Sequence, residues 1–374
     1  MASEPATGET ATRTESPRWV DSSLLSLCLG SLAVIVAGGL IQVSFGAYSM
    51  TVAEAWSAVF NPAVILDPQA WQAFLLGGVL PSMNNQSLIV WNIRLPRVFV
   101  AILVGMNLSV SGAIFQAVTR NELASPFILG VSSGAGLMIL LTLVVFSGLS
   151  TLLPLIAALG GAVAFLIVYV IAWKNGTSPV RLVLAGVIVG TVFGSLQTAV
   201  FFFADDIGVV QSAIAWTTGS LTGTDWEQVR LALPWSVLAM VLALVSSRQL
   251  NVLLLGERTA KSLGMSVEKV RFALSGVAVL AAATSIAVAG IVGFVGLVVP
   301  HMVRTVVGSD YKRLVVGCLF AGPALMVVAD VGARLGLQVL TGSNAQIPVG
   351  VVTGLVGGPY FLYLMRKQDR IGDV

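Results

Sequence analysis

"FALSGVAVLAAATSIAVAGIVGFVGLVVPHMV", residues 272–303, runs for 32 positions without an Asp, Glu, Lys or Arg. A helix of that length would reach about 48 Å, well beyond the roughly 30 Å hydrocarbon core that about 20 residues already cross. One span is therefore too few. Gly290, Gly293 and Gly296 fall where two spans would meet, so the stretch is read as two crossings divided near Gly290. That makes the chain polytopic.

The rest of the sequence follows the same pattern. Of 374 residues, 56% are hydrophobic and 10% charged, against about 25% charged in soluble domains. Uncharged runs at 24–44, 98–118, 127–149, 151–173 and 182–204, and further runs at 231–247, 314–329 and 349–365, raise the expected number of spans to ten. An even number puts both termini on one side. With the termini cytoplasmic, sixteen of the twenty basic residues, including all five lysines, face the cytoplasm, as the bias of basic residues toward that side requires. Arg94, Arg97, Arg230 and Arg334 are the four left outside.

Residues 1–20 are polar and rich in Thr, Glu and Pro, the composition of a disordered tail. They lack the basic start and cleavage site of a signal peptide. Residues 21–368 form the membrane domain. Residues 46–92 make a long external loop, with one or two interfacial helices expected within 61–87. Cys28 and Cys318 both lie in apolar runs and read as buried thiols. With His301 the single histidine, a metal centre built on imidazoles is out of reach. The net charge of +3 is spread over loops, which does not suggest nucleic acid.

Several motifs imitate enzyme chemistry. "GERTAKS" (256–262) begins like a phosphate loop but lacks the second glycine, whose amides would wrap the phosphates. "GVSSGAG" (130–136), "GIVGFVG" (290–296) and "GLVGG" (354–358) lie in apolar runs, where small residues let helices pack closely. No catalytic set is present, and nothing in the residues calls for a cofactor. Polar residues within spans are sparse: Asn107, Ser109, Ser111, Gln116, Ser132, Ser133, Gln197 and Asp330. An acid inside a membrane is a functional suspect. Asp330 also stands four residues before Arg334, the spacing of a helical ion pair.

Against this background "GERTAKSLGMSVEKVR" (256–271) stands out, with six charges in sixteen positions. It lies in the cytoplasmic loop 249–271, between spans six and seven. Leu253, Leu254, Leu255, Ala260, Leu263 and Met265 add an apolar component. A short amphipathic helix offering a face to a partner fits; so does a plain solvated loop.

Four stretches together carry a resemblance over about residues 25–368: "NIRLPRVFVAILVGMNLSVSGAIFQAVTRNELASPFILGVSSGAG" (92–136), "LLLGERTAKSLGMSVEKVR" (253–271), "AGIVGFVGLVVPHMVR" (289–304), and "ADVGARL" (329–335) followed by "IPVGVVTGLVGGPYFLYLMR" (347–366). The sequence resembles the FecCD-type permeases, the membrane subunits of ABC importers for iron–siderophore complexes, haem and vitamin B12. The resemblance implies an all-α, ten-helix fold like that of a vitamin B12 importer permease. It implies a second permease chain, identical or similar, two cytoplasmic ATP-binding subunits, an extracytoplasmic substrate-binding protein and a place in the cell inner membrane. It makes Gly256, Glu257, Ala260, Leu263 and Gly264 the ATPase-coupling residues. Arg94, Arg97 and Arg334 become docking points for the binding protein, and Asn121 and Leu123 gate candidates.

The chain departs from the family pattern in places. Gln346 and Asn344 in "NAQIP" (344–348) replace the usual acid and proline, and Glu122 in "RNELASP" replaces the usual proline. The alternatives are a proton- or ion-coupled carrier using Asp330, a scaffold without transport, and a zinc or manganese importer permease of the same mechanism.

Overall fold

The computed structural model describes residues 21–46, 48, 50–204, 206–342 and 346–372. The expected tail, 1–20, lies outside them. Among the described residues there are helices and no strands. Seven helices are long and apolar enough to cross a membrane: Ser22–Ser44, Asn85–Thr119, Ser147–Ala172, Pro179–Phe201, Trp226–Val245, Val267–Ala289 and Tyr311–Val339. Three shorter apolar helices, Val131–Val145, Val295–Val307 and Val349–Tyr363, account for the remaining expected spans. In chain order these are spans one to ten.

The opening stretch divides as its glycines suggest. Span seven ends at Ala289, and span eight starts at Val295. Gly290 has φ +69°, a region that side chains disfavour. A Cβ there would run into the Trp216 carbonyl. The freed backbone groups are taken up locally. The Ile291 amide donates to Trp216 O at 2.9 Å, and the Ser220 amide donates to Ala289 O at 2.8 Å. Their partners belong to helix Ile207–Thr218 and the turn after it. This helix was not expected from the sequence, because its twelve residues are too few to register as a span.

Span two is the axis of the bundle. Its apolar window is 83% buried, against 22% for span one. Most of the polar residues noted within spans serve as ties between helices. Asn107 Nδ2 donates to Ser236 Oγ at 2.7 Å, Ser111 Oγ to Ala278 O at 2.7 Å, and Ser109 Oγ to Cys318 O at 3.0 Å. Gln197 Nε2 donates to Ser133 O at 2.9 Å. In hydrocarbon no water competes for these groups, so each bond fixes a helix pair. Cys28 and Cys318 are free thiols, and Cys318 is buried.

Glycines set the closest approaches. A Cβ on Gly112 would collide with the Gly296 carbonyl, one on Gly105 with the Gly322 carbonyl, and one on Gly134 with the Gly160 carbonyl. The glycine patterns are thus packing seams. Gly112→Val is expected to push spans two and eight apart and destabilise the chain by roughly 1–3 kcal/mol, the range for overpacking. Gly276→Val, where no atom lies within 4 Å of the added carbon, should be near neutral. Unfolding of both variants in mixed micelles checks the contrast.

The segment between spans one and two carries short helices at Val52–Val59, Pro62–Ile65 and Pro68–Leu76. An aromatic cluster pins them to the bundle: Phe74 stacks on Trp226 at 4.8 Å and on Trp91 at 5.6 Å. Trp226 Nε1 donates to Trp91 O at 2.7 Å, so the buried rings keep their polar atoms satisfied. The loop is shorter than the expected 46–92, since helix has resumed by Asn85.

Candidate coupling and docking sites

The charged segment folds into two short helices, Ser247–Leu254 and Glu257–Ser262. Gly256, with φ +99°, turns between them, and Gly264, with φ +81°, turns out of the second. The Gly264 amide closes that turn onto Lys261 O at 2.9 Å. Ala260 faces inward, fully buried, while Leu254, Leu255 and Leu263 are exposed. A groove of about 470 Å³ runs alongside, lined by residues that include Arg248, Val252, Leu263 and Met265.

Arg271 anchors the segment. It is 1% exposed. Its Nη2 donates to Glu257 Oε1 at 2.6 Å, and its Nη1 reaches Thr177 O at 2.7 Å and Glu268 Oε1 at 3.1 Å. Glu268 in turn accepts from the Thr177 hydroxyl at 2.7 Å and the Thr177 amide at 3.0 Å. One guanidinium thus ties the second short helix to span seven and to the turn between spans four and five. Sequence reasoning missed Arg271 as a site residue. The signal was present in its spacing, three residues after Glu268 and fourteen after Glu257.

The gate candidates sit in the turn that follows span two. Arg120 ends that helix with φ +48°. Asn121 Oδ1 accepts from the Leu123 amide at 2.9 Å, a compact polar turn, and Leu123 is 40% exposed.

The three arginines expected to dock a binding protein are held inside the bundle to different degrees. Arg94 is 3% exposed and Arg97 6% exposed. Arg94 donates to Val43 O at 2.5 Å and Tyr48 O at 2.6 Å. Arg97 grips Asp330 with two bonds, Nε to Oδ2 at 2.9 Å and Nη2 to Oδ1 at 2.8 Å, and its Nη1 donates to Gln346 Oε1 at 2.7 Å. Gln42 Nε2 donates to Asp330 Oδ2 at 2.6 Å. A docking role for Arg94 and Arg97 would require these bonds to break, because a buried, fully engaged guanidinium presents nothing to a partner. The expected Asp330–Arg334 pair gives way to Asp330–Arg97, since span nine turns its acid toward span two. Arg334 is only half-buried and donates to Gln42 O at 2.7 Å. Gln346 is exposed and also accepts from the Thr222 hydroxyl at 3.3 Å, so it links Arg97 of span two to the turn before span six.

No group of three or more His, Cys, Asp or Glu suited to a metal occurs among the described residues. Residues 33–367 match the model of the FecCD transport family. The chain belongs to the FecCD transport family. It is 38% identical to the iron(3+)-hydroxamate import system permease protein FhuG of Bacillus subtilis (strain 168) over 293 residues, 76% of this chain and 85% of that one. It is 34% identical to the hemin transport system permease protein HmuU of Yersinia pestis over 343 residues, 90% of this chain and 93% of that one. A solved metal-chelate type ABC transporter in an inward-facing conformation superimposes with a TM-score of 0.75 at 27% identity, covering 92% of this chain and 99% of that chain. As a FecCD member the chain is a multi-pass membrane permease of the ABC-importer kind, a transport subunit in which no enzymatic role is indicated.

Proposed function

We propose that this chain moves an iron–siderophore chelate, or a haem- or cobalamin-like one, inward across the cell inner membrane, driven by ATP hydrolysis on a partner. Two permease chains, identical or similar, enclose the path, and both termini are cytoplasmic. Two ATP-binding subunits dock on residues 249–271, and a binding protein delivers the chelate from outside. Half-buried Arg334 is the docking cation that remains once Arg94 and Arg97 are engaged internally. A few such cations orient an acidic partner more than they tighten its grip.

The observation that carries the reading is the braced segment: exposed Leu254, Leu255 and Leu263 beside a groove, on short helices held to the bundle through Arg271. A solvated loop needs no such bracing. A lever does, because force applied to it must reach the spans. Asp330 does not favour an ion-coupled carrier, since both of its oxygens are occupied by Arg97 and Gln42.

The test combines Glu257→Arg with Gly264→Pro. The first substitution sets a cation against Arg271. The second demands φ near −65° where the backbone holds +81°, and removes the amide that bonds Lys261. In proteoliposomes carrying the whole transporter, uptake of a ferric hydroxamate should be abolished and ATP hydrolysis uncoupled from it, while the chain still inserts. Uptake that survives would show that this segment is not the coupler.

A further inference from the structure

Beside the gate candidates lies a polar cluster that neither the coupling segment nor the outer arginines account for. Glu122 occupies the same turn as Asn121 and Leu123. Its Oε2 lies 3.3 Å from Arg304 Nη1 and 3.6 Å from His301 Nδ1, both on span eight. Arg304 is itself fixed, its Nη2 donating to Gln116 Oε1 of span two at 2.9 Å. Arg304 and His301 side chains are 11% and 15% exposed, whereas that of Glu122 is 48% exposed. A half-exposed acid thus reaches for a mostly buried arginine and histidine on span eight. On the other side of the turn, the Arg120 guanidinium lies over Gly256, where an added Cβ would be 3.4 Å from its Nη1. The turn thus lies beside the coupling segment at Arg120 and reaches span eight through Glu122.

We propose that Glu122 is a positioning residue of the transport cycle, a latch that holds the Asn121–Leu123 turn against span eight until movement of the coupling segment, passed through Arg120, releases it. A half-exposed pair suits the task. It is strong enough to bias one position of the turn and weak enough to be broken each cycle, as exposed ion pairs are. An apolar contact at the same place would have to expose its surface to water at each opening, whereas a carboxylate leaving Arg304 is solvated at once. The proposal rests on the importer reading above for the source of the movement, though not for the latch itself.

The experiment uses the complete transporter with Cys28 and Cys318 replaced by alanine and a spin label on Leu123→Cys. Without nucleotide the label should be restrained. Glu122→Gln should raise its mobile fraction by about 1.4- to fivefold, the span that exposed ion pairs cover, and Glu122→Asp should fall between. Arg304→Lys, which keeps the charge, should retain most of the restraint. A non-hydrolysable ATP analogue should free the label in the parent and add little in Glu122→Gln. A spectrum unchanged by Glu122→Gln would overturn the latch. A label freed by Glu122→Gln yet indifferent to nucleotide would uphold the latch and sink the coupling reading instead. Basal ATP hydrolysis is a second readout: release of the latch should raise it, whereas a purely local packing role would leave it alone.

Discussion

Asp330→Ala should destabilise the chain by about 3–5 kcal/mol, the usual cost of removing one partner from a buried ion pair. Asp330 is fully buried and Arg97 nearly so. Without the carboxylate, Arg97 keeps the Gln346 carbonyl oxygen at 2.7 Å, and two of its buried donors lose their acceptors. Gln42 loses its acceptor as well. Spans one, two and nine meet at this cluster, so the loss is felt in three helices at once. Arg97→Met with Asp330→Leu should recover most of the stability, because a buried pair replaced by apolar residues of similar size is often neutral. Denaturation in mixed micelles measures both variants. The double variant also separates two functions. If the pair is a structural clamp, the double variant transports; if Asp330 relays ions, it stays inactive whatever its stability.

Arg271→Ala should have the largest effect on transport. The substitution frees Glu257 from span seven and leaves the Thr177 carbonyl without its charged donor. Glu257 and Glu268 side chains are 35% and 32% exposed, so water takes over part of their solvation. The stability loss should therefore be modest, on the order of 2 kcal/mol, as for a hydrogen bond to a charged group. The mechanical loss is greater, because the second short helix loses its side-chain tie to span seven. Uptake should fall at least about tenfold, equivalent to 1.4 kcal/mol in the barrier, while ATP hydrolysis by the assembled transporter continues. Arg271→Lys should restore part of the uptake, through one of the two carboxylates. Equal loss of uptake and of hydrolysis would point to failed assembly instead.

The membrane architecture was legible in the chain, because hydrocarbon imposes a length and a composition that local sequence alone must meet. The break at Gly290 could be placed for the same reason, since only a glycine accepts φ +69° against the Trp216 carbonyl without strain. The charged segment at 256–271 stood out as charge amid oil. Helix Ile207–Thr218 escaped notice, because it is short and its end is bonded to residues more than seventy positions away. The resemblance made Arg94 and Arg97 docking cations, and sequence does not say which helix will turn an acid toward them. The pairing of Arg97 with Asp330, 233 positions apart, and the anchoring of Glu257 by Arg271 are decided by how the helices pack. Composition and periodicity fix what each segment must do with respect to the bilayer. Partner choice among buried charges depends on rotation and depth of whole helices, which only the assembled tertiary structure sets.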